Sequence, residues 1–318
     1  MTHLVVINPK SFNKQAEMQT VIRDIKSYLE NQNKPHYIHV SRYPRDAIRV
    51  VKKYVMLAEG IVRVYSVGGD GILYDCLNGI RNLPNAQIAV IPYGTSCDFI
   101  RAFGEGKRGL FRDISKQVNA ETIATDVLNI GNRYALNFCS VGVEAAVILK
   151  YYEICKKYPR ISKQFGNSLY MAGIPLAFLD KKVTGQKYEL TIDGVNHDGA
   201  YIGINFANGS CYGGNKTPFP MAHPADGKME IMTLTGKITP KTFAAINSYT
   251  KGGYKKHPDL LSHMSAKNVK IRSNDPMHIN VDGETYYGSE LNIKLIPKAI
   301  NFVSPDGISY VRRCSYDS

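Results

Sequence analysis

With 318 residues, 44% of them hydrophobic, 21% charged and 10% aromatic, the chain has the composition of a globular protein and not of a disordered or fibrous one. It is longer than the roughly 150 residues of an ordinary domain, so two domains are expected, each able to bury a core. A net charge of +13 implies attraction to polyanions: nucleic acid, anionic lipid or phosphate-bearing substrates.

A short apolar strand over Leu4 to Ile7 leads into a polar helix near Gln15 to Asn31, a strand over Tyr37 to Val40, a helix around Asp46 to Ala58 and a strand over Ile61 to Val67. This alternation is the rhythm of βαβ units on a parallel sheet. The last strand runs directly into Gly68-Gly69-Asp70-Gly71, and apolar residues at helical spacing follow from Ile72 to Ile80. Without Cβ atoms, Gly68, Gly69 and Gly71 let the backbone reach positive φ and bring N–H groups close to an anion. Asp70 adds an acceptor for magnesium or its waters. Alone, such a turn is more often plain chain reversal.

Another buried strand, Gln87 to Pro92, ends in Tyr93-Gly94-Thr95-Ser96-Cys97-Asp98-Phe99, a second strand-to-loop-to-helix junction. Open α/β sheets bind ligands at the carboxyl ends of their strands, so the two junctions are expected to share a phosphate-and-metal crevice. The P-loop, the dinucleotide fingerprint and the protein-kinase catalytic loop are all missing.

Beyond about Asp126 the pattern becomes alternating and punctuated by turns: Tyr188 to Ile192 before Asp193-Gly194, Ala200 to Phe206, Met229 to Leu234, Val269 to Ile271, His278 to Val281, Leu291 to Leu295 and Ile300 to Val303. These predict antiparallel hairpins in a second, mostly β domain, sandwich or barrel. Asp282-Gly283 has the form of a type I′ hairpin turn. Leu169 to Leu179 predicts an inserted helix, kinked or begun at Pro175. Between Lys150 and Lys187 eight basic residues face only Glu153 and Asp180 and are interleaved with aromatics, a combination that suits either a membrane interface or a solvated basic face.

The six cysteines are dispersed and form no Cys-x-x-Cys pair, and the amino terminus lacks the pattern of a signal peptide. A cytoplasmic protein with reduced thiols is expected. His36 and His39 lack further ligands nearby for a metal site. No nucleic-acid-binding motif is present, so nucleic acid is not an expected partner.

At this point the residues resemble the diacylglycerol kinase catalytic family, which includes bacterial soluble lipid kinases and, more distantly, sphingosine kinases. The resemblance runs through Asn8-Pro9, Gly68 to Gly71 with Asn78-Gly79, Pro92-x-Gly94-Thr95-x-x-Asp98-Phe99, Asp126, Pro220-x-Ala222-x-x-x-Asp226-Gly227 and Val281 to Glu284. It implies an α/β nucleotide-binding domain (1–125) with a parallel sheet, then a mostly antiparallel β-sandwich lipid-substrate domain (126–303). A tail, about 304–318, would pack back on the first domain. The implied activity is transfer of the ATP γ-phosphate to a lipid hydroxyl, diacylglycerol being the expected acceptor, with Mg2+ as cofactor.

Carried over residue by residue, Asn8, Ser11, Ser41, Gly68, Gly69, Asp70, Gly71, Gly94 and Thr95 would contact the nucleotide. Asp70, Asp98 and Asp126 would form an aspartate-water-magnesium network, Asp226 would hold a further structural magnesium, and Asp282 with Glu284 would face the acceptor hydroxyl. The expected setting is a membrane surface, with anionic phospholipid as partner and peripheral association; the resemblance also allows a homodimer. Three nucleotide-side positions depart from the family pattern: Ile72 where a hydroxyl residue is usual, Cys97 where asparagine is, and Phe12 where glycine is. An NAD kinase-like enzyme and a non-catalytic nucleotide or lipid sensor are the alternative readings.

Overall fold

The computed structural model describes residues 1–94, 97–158, 186–213 and 216–312, together with Gly173, Ala177 and Val183. In its first part β1 (Thr2–Ile7), β2 (His36–Val40), β3 (Val62–Gly68) and β4 (Ala86–Pro92) pair in parallel in the order β4-β3-β1-β2. The helices α1 (Gln15–Asn31), α2 (Asp46–Leu57) and α3 (Asp70–Gly79) connect them.

Alternation along β1 explains the layering, because successive side chains of a strand point to opposite faces. Val5 and Ile7 pack with Met18, Val21, Ile25 and Leu29, the apolar stripe of α1. Leu4 and Val6 pack with Val51 and Val55 of α2 and Leu73 and Leu77 of α3. With both faces covered, these strands read as continuous apolar runs. Two short helices, α4 (Arg108–Arg112) and α5 (Ser115–Val118), follow the second junction.

The second part is the expected β-sandwich. Its elements are β5 (Thr122–Ile130), β6 (Arg133–Ala135), β7 (Phe138–Gly142), α6 (Val143–Lys157), β8 (Lys187–Ile192), β9 (Val195–Asn196) and β10 (Gly199–Ala200). After them come β11 (Gly203–Ala207), β12 (Met229–Leu234), α7 (Pro240–Tyr249), β13 (Leu261–Ala266), β14 (Asn268–Val281) and β15 (Glu284–Val303). Antiparallel pairing runs β13-β12-β11-β7-β14-β15, with β8 on β14 and β5 on β15. The two parts join at β15, whose Asn301 and Phe302 pair in parallel with Gln87 and Ile88 of β4.

Four short strands expected from the sequence are two long ones. Pro276 and Pro297 interrupt the alternating pattern, since proline cannot donate to a ladder. The pairing absorbs each interruption as a register shift, between Arg272 and Met277 and between Ile296 and Ile300. The helix expected over 169–179 lies outside the described residues except at Gly173 and Ala177. Of the tail, Tyr310 sets its ring 4.4 Å from that of Phe103 and its hydroxyl 2.7 Å from Thr125 Oγ1. Among the described residues no helix is long and apolar enough to cross a membrane.

Candidate active site

The two strand-end junctions meet side by side, with Gly68 and Pro92 in register. Tyr93 N donates to Gly68 O at 3.0 Å and the Cys97 thiol donates to the same oxygen at 3.1 Å. Asp98 N donates to Asp70 Oδ1 at 2.9 Å. Close approach demands two of the glycines: a Cβ on Gly68 would stand 2.7 Å from Ser11 Oγ, and one on Gly94 would stand 2.4 Å from Gly69 Cα. The first N–H groups of α3 have no partner within the helix, so its positive end offers a seat for phosphate beside Asp70.

Three cations line the same side of the cleft: Lys10, Arg108 and Arg112. Arg108 donates to Gly94 O; Arg112 donates to Pro92 O at 2.9 Å and lies 5.0 Å from the Tyr93 ring centroid. Phe12 stacks on Tyr93 with centroids 5.0 Å apart. Sequence reasoning did not single out these cations. Their only signal was position, Lys10 directly after Asn8-Pro9 and the arginines downstream of the second junction.

Opposite stands the β14–β15 hairpin. Its turn is type I′, with φ 47° at Asp282 and 93° at Gly283. The Asp282 carboxylate reaches back to the β6–β7 junction: Oδ2 accepts from Leu136 N at 2.6 Å, and Oδ1 accepts from Phe138 N at 2.8 Å and from Asn137 N at 3.2 Å. Burial pushes its carboxyl up to about 6, against the opposing pull of those three N–H bonds. Asp282 is therefore at once the turn residue and a buried acid near neutrality. Glu284, the first residue of β15, is ion-paired with Arg45, which also donates to Asp75 Oδ1 at 2.6 Å. Arg45 is a further residue the sequence did not signal.

Between the two parts lies a cavity of about 690 Å3. Asn8, Ser11, Gly69, Asp70, Gly71, Gly94 and Asp98 line it on one side and Asp282 and Glu284 on the other, while Phe138, Ile148, Tyr151, Tyr152 and Tyr212 form an apolar and aromatic wall. Burial foremost, then the charges of Asp98 and Asp282, push the Asp70 carboxyl well above the usual range.

Four expected site residues lie elsewhere. Gly68 sits behind the lining and shapes it. Ser41 follows β2, its N–H bonded to Ile7 O at 2.9 Å, and does not line the cavity. Asp126 and Asp226 also lie outside the lining. Asp126 accepts from Gly227 N at 2.7 Å and Lys298 N at 2.8 Å, which ties the loop after Pro224 to the bend in β15. Asp226, the residue expected at a structural magnesium, pairs with Arg312 at 3.1 Å. Thr95 lies outside the described residues.

Among the described residues no group of three or more histidine, cysteine, aspartate or glutamate side chains is disposed to hold a metal. Magnesium, however, commonly takes one or two carboxylates and completes its shell with water and substrate phosphates. Asp70 and Asp98 fit that mode: they are adjacent acids whose like charges drive Asp70 upward, a state that a dication relieves.

Residues 2–130 match the model of the diacylglycerol kinase catalytic domain, and residues 160–304 match that of the YegS C-terminal NAD kinase beta sandwich-like domain. A protein of Staphylococcus aureus strain Mu3 named "Putative lipid kinase" is 24% identical over 294 residues, covering 91% of this chain and 90% of its own. Two solved structures from Bacillus anthracis strain Sterne share the fold. One, described as "a putative diacylglycerol kinase", has a TM-score of 0.70 at 20% identity and covers 96% of this chain and 98% of its own. The other, described as a diacylglycerol kinase, has a TM-score of 0.66 at 18% identity and the same coverages.

Proposed function

The chain belongs to the diacylglycerol kinase catalytic family, and we propose that it transfers the γ-phosphate of ATP to a primary hydroxyl of a membrane lipid, with diacylglycerol as the acceptor and phosphatidic acid as the product. The observation that carries this reading is the convergence of Asp70 and Asp98 with Asp282 and Glu284 in one cavity that is cationic on the nucleotide side and apolar on the other.

Phosphoryl transfer is mainly positioning and charge neutralisation. The triphosphate would lie over the glycine backbone at Gly69, Gly71 and Gly94, with Lys10, Arg108 and Arg112 meeting its charge. Asp70 and Asp98 would hold magnesium, which when bound spreads the charge that develops on the transferred phosphoryl group. The acceptor oxygen attacks the γ-phosphorus, the bond to the β–γ bridging oxygen breaks, ADP leaves and the hydroxyl proton passes to Asp282. An acid with a pKa of about 6 is suited to that task, because it is ionised at neutral pH and still basic enough to take the proton.

The apolar wall formed by Phe138, Ile148, Tyr151 and Tyr152 suits an acyl-bearing acceptor. Tyr152 and Tyr158 are nearly half exposed on or beside α6, which also carries Lys150, Lys156 and Lys157, and this combination supports binding at an anionic membrane surface. The test is a panel of diacylglycerol, phosphatidylglycerol, sphingoid base, prenol and NAD, offered with γ-labelled ATP and magnesium. Label in an organic-phase product supports the lipid reading. Label confined to NADP supports the NAD kinase-like reading, and nucleotide binding without any labelled product supports the sensor reading.

A further inference from the structure

Arg45 opens α2 with its backbone in the left-handed region, at φ 67°, where a residue with a side chain is rarely found. Its guanidinium makes three contacts that belong to two different parts of the fold. One nitrogen donates to Asp75 Oδ1 at 2.6 Å, another pairs with Glu284, and the group lies 4.9 Å from the centroid of the Tyr74 ring. Tyr74 and Asp75 belong to α3, whose first residue is Asp70. Glu284 begins β15, directly after the turn that holds Asp282. The arginine is thus a strut between the helix that carries Asp70 and the hairpin that carries Asp282.

Resting on the lipid kinase reading above, we propose that Arg45 is a positioning residue that acts through Glu284 to set the hairpin carboxylates against Asp70 across the cleft. A planar guanidinium can bond two carboxylates at once in fixed directions and can lie on an aromatic face; a lysine, a single flexible point charge, cannot do all three. Asp75 is buried enough that burial raises its carboxyl and Arg45 draws it back, so the strut is anchored at the α3 end rather than floating in solvent. The pair with Glu284 is itself exposed, 40% on the arginine and 36% on the glutamate, and alone would contribute little, so its hold on the hairpin depends on the guanidinium being fixed by Asp75 and Tyr74.

The experiment follows hydrogen exchange in the hairpin, residues 278–290, and turnover on diacylglycerol vesicles. It uses full-length wild type, Arg45→Gln, Arg45→Lys, Glu284→Gln, the Arg45→Gln/Glu284→Gln double variant and Arg49→Gln as a control on the same helix. Arg45→Gln is expected to speed exchange in the hairpin and lower kcat by about tenfold or more while KM for ATP stays within about twofold. The lysine variant is expected to fall between the two, and it serves in place of the glutamine variant should that one fail to fold. Acting through Glu284, Arg45 should add no further loss in the double variant beyond that of Glu284→Gln alone.

Hairpin exchange that matches wild type and Arg49→Gln, or losses that multiply in the double variant, would overturn the proposal. If wild type phosphorylates no lipid, the reading of the reaction fails on its own. Exchange at the hairpin still decides whether Arg45 holds it.

Discussion

Gly94 lies against the backbone of Gly69 so closely that a Cβ on Gly94 would stand 2.4 Å from Gly69 Cα and 2.6 Å from its N. Both clashing atoms are backbone, which cannot swing away, so Gly94→Ala must pry the two strand-end loops apart. A loss of about 2 kcal/mol or more of stability is expected, together with the loss of nucleotide binding. Denaturant unfolding and calorimetry with a non-hydrolysable ATP analogue check both; a variant that binds the analogue like wild type would mean that the contact does not shape the site.

With Asp282 as the proposed base, the reaction is expected to depend on pH. Its carboxyl must be ionised to accept a proton, so kcat is expected to rise with pH through about 6 and level off above it. Stability runs the other way. The folded pKa is raised, so the contribution of the neutral acid is fully present below its unfolded value, about 4, and is lost as pH rises through about 6. Rate profiles and thermal melts from pH 5 to 8 should therefore slope in opposite directions. A rate that does not change over that range would remove Asp282 from the role of base.

Glu144 offers a purely energetic test. It is buried in the first turn of α6, and burial pushes its carboxyl up to about 7, against hydrogen bonds to Tyr212 and Asn205 and the charge of Lys216. The neutral form is the one the fold prefers, so this contribution is present below the unfolded value, 4.5, and is lost as pH passes about 7. Glu144→Gln stays neutral throughout. It is expected to be more stable than wild type by about 2 kcal/mol at pH 8 and nearly equal to it at pH 5, read by thermal melts at the two pH values. A variant less stable than wild type at pH 8 would show that the carboxylate is held in its charged form.

What could be read from the sequence follows from where each residue's reasons lie. β1, β3 and β4 were legible because strands covered on both faces are written as unbroken apolar runs, and Asp70 and Asp98 because glycine-rich strand ends mark them. β14 and β15 read as broken because Pro276 and Pro297 interrupt their alternation; each strand bulges at its own proline, and that it continues beyond shows only in the pairing resumed with its partner. Asp126 was legible as a motif position, but the amides it accepts from, Gly227 and Lys298, are partners that only the fold brings to it. Arg45 carried no local signal, since what it holds lies in α3 and at the start of β15.

Metal dependence should be traceable to Asp98. Chelation is expected to stop transfer and added magnesium to restore it. Asp98→Asn removes one ligand and one of the charges that raise the Asp70 carboxyl, so it is expected to shift the magnesium requirement upward by about tenfold or more. Magnesium titrations of the two proteins at fixed ATP measure this, and coincident curves would take Asp98 out of the metal site.

The central claim is that Asp70, on the nucleotide side, and Asp282, on the lipid side, serve one reaction. It is tested most directly by following ADP and lipid phosphate together in a single mixture of protein, ATP, magnesium and diacylglycerol vesicles. Equal amounts of the two products from wild type, and neither from Asp70→Asn or Asp282→Asn, are the expected result. ADP formed without lipid phosphate, or lipid phosphate still formed at the wild-type rate by either variant, would contradict it.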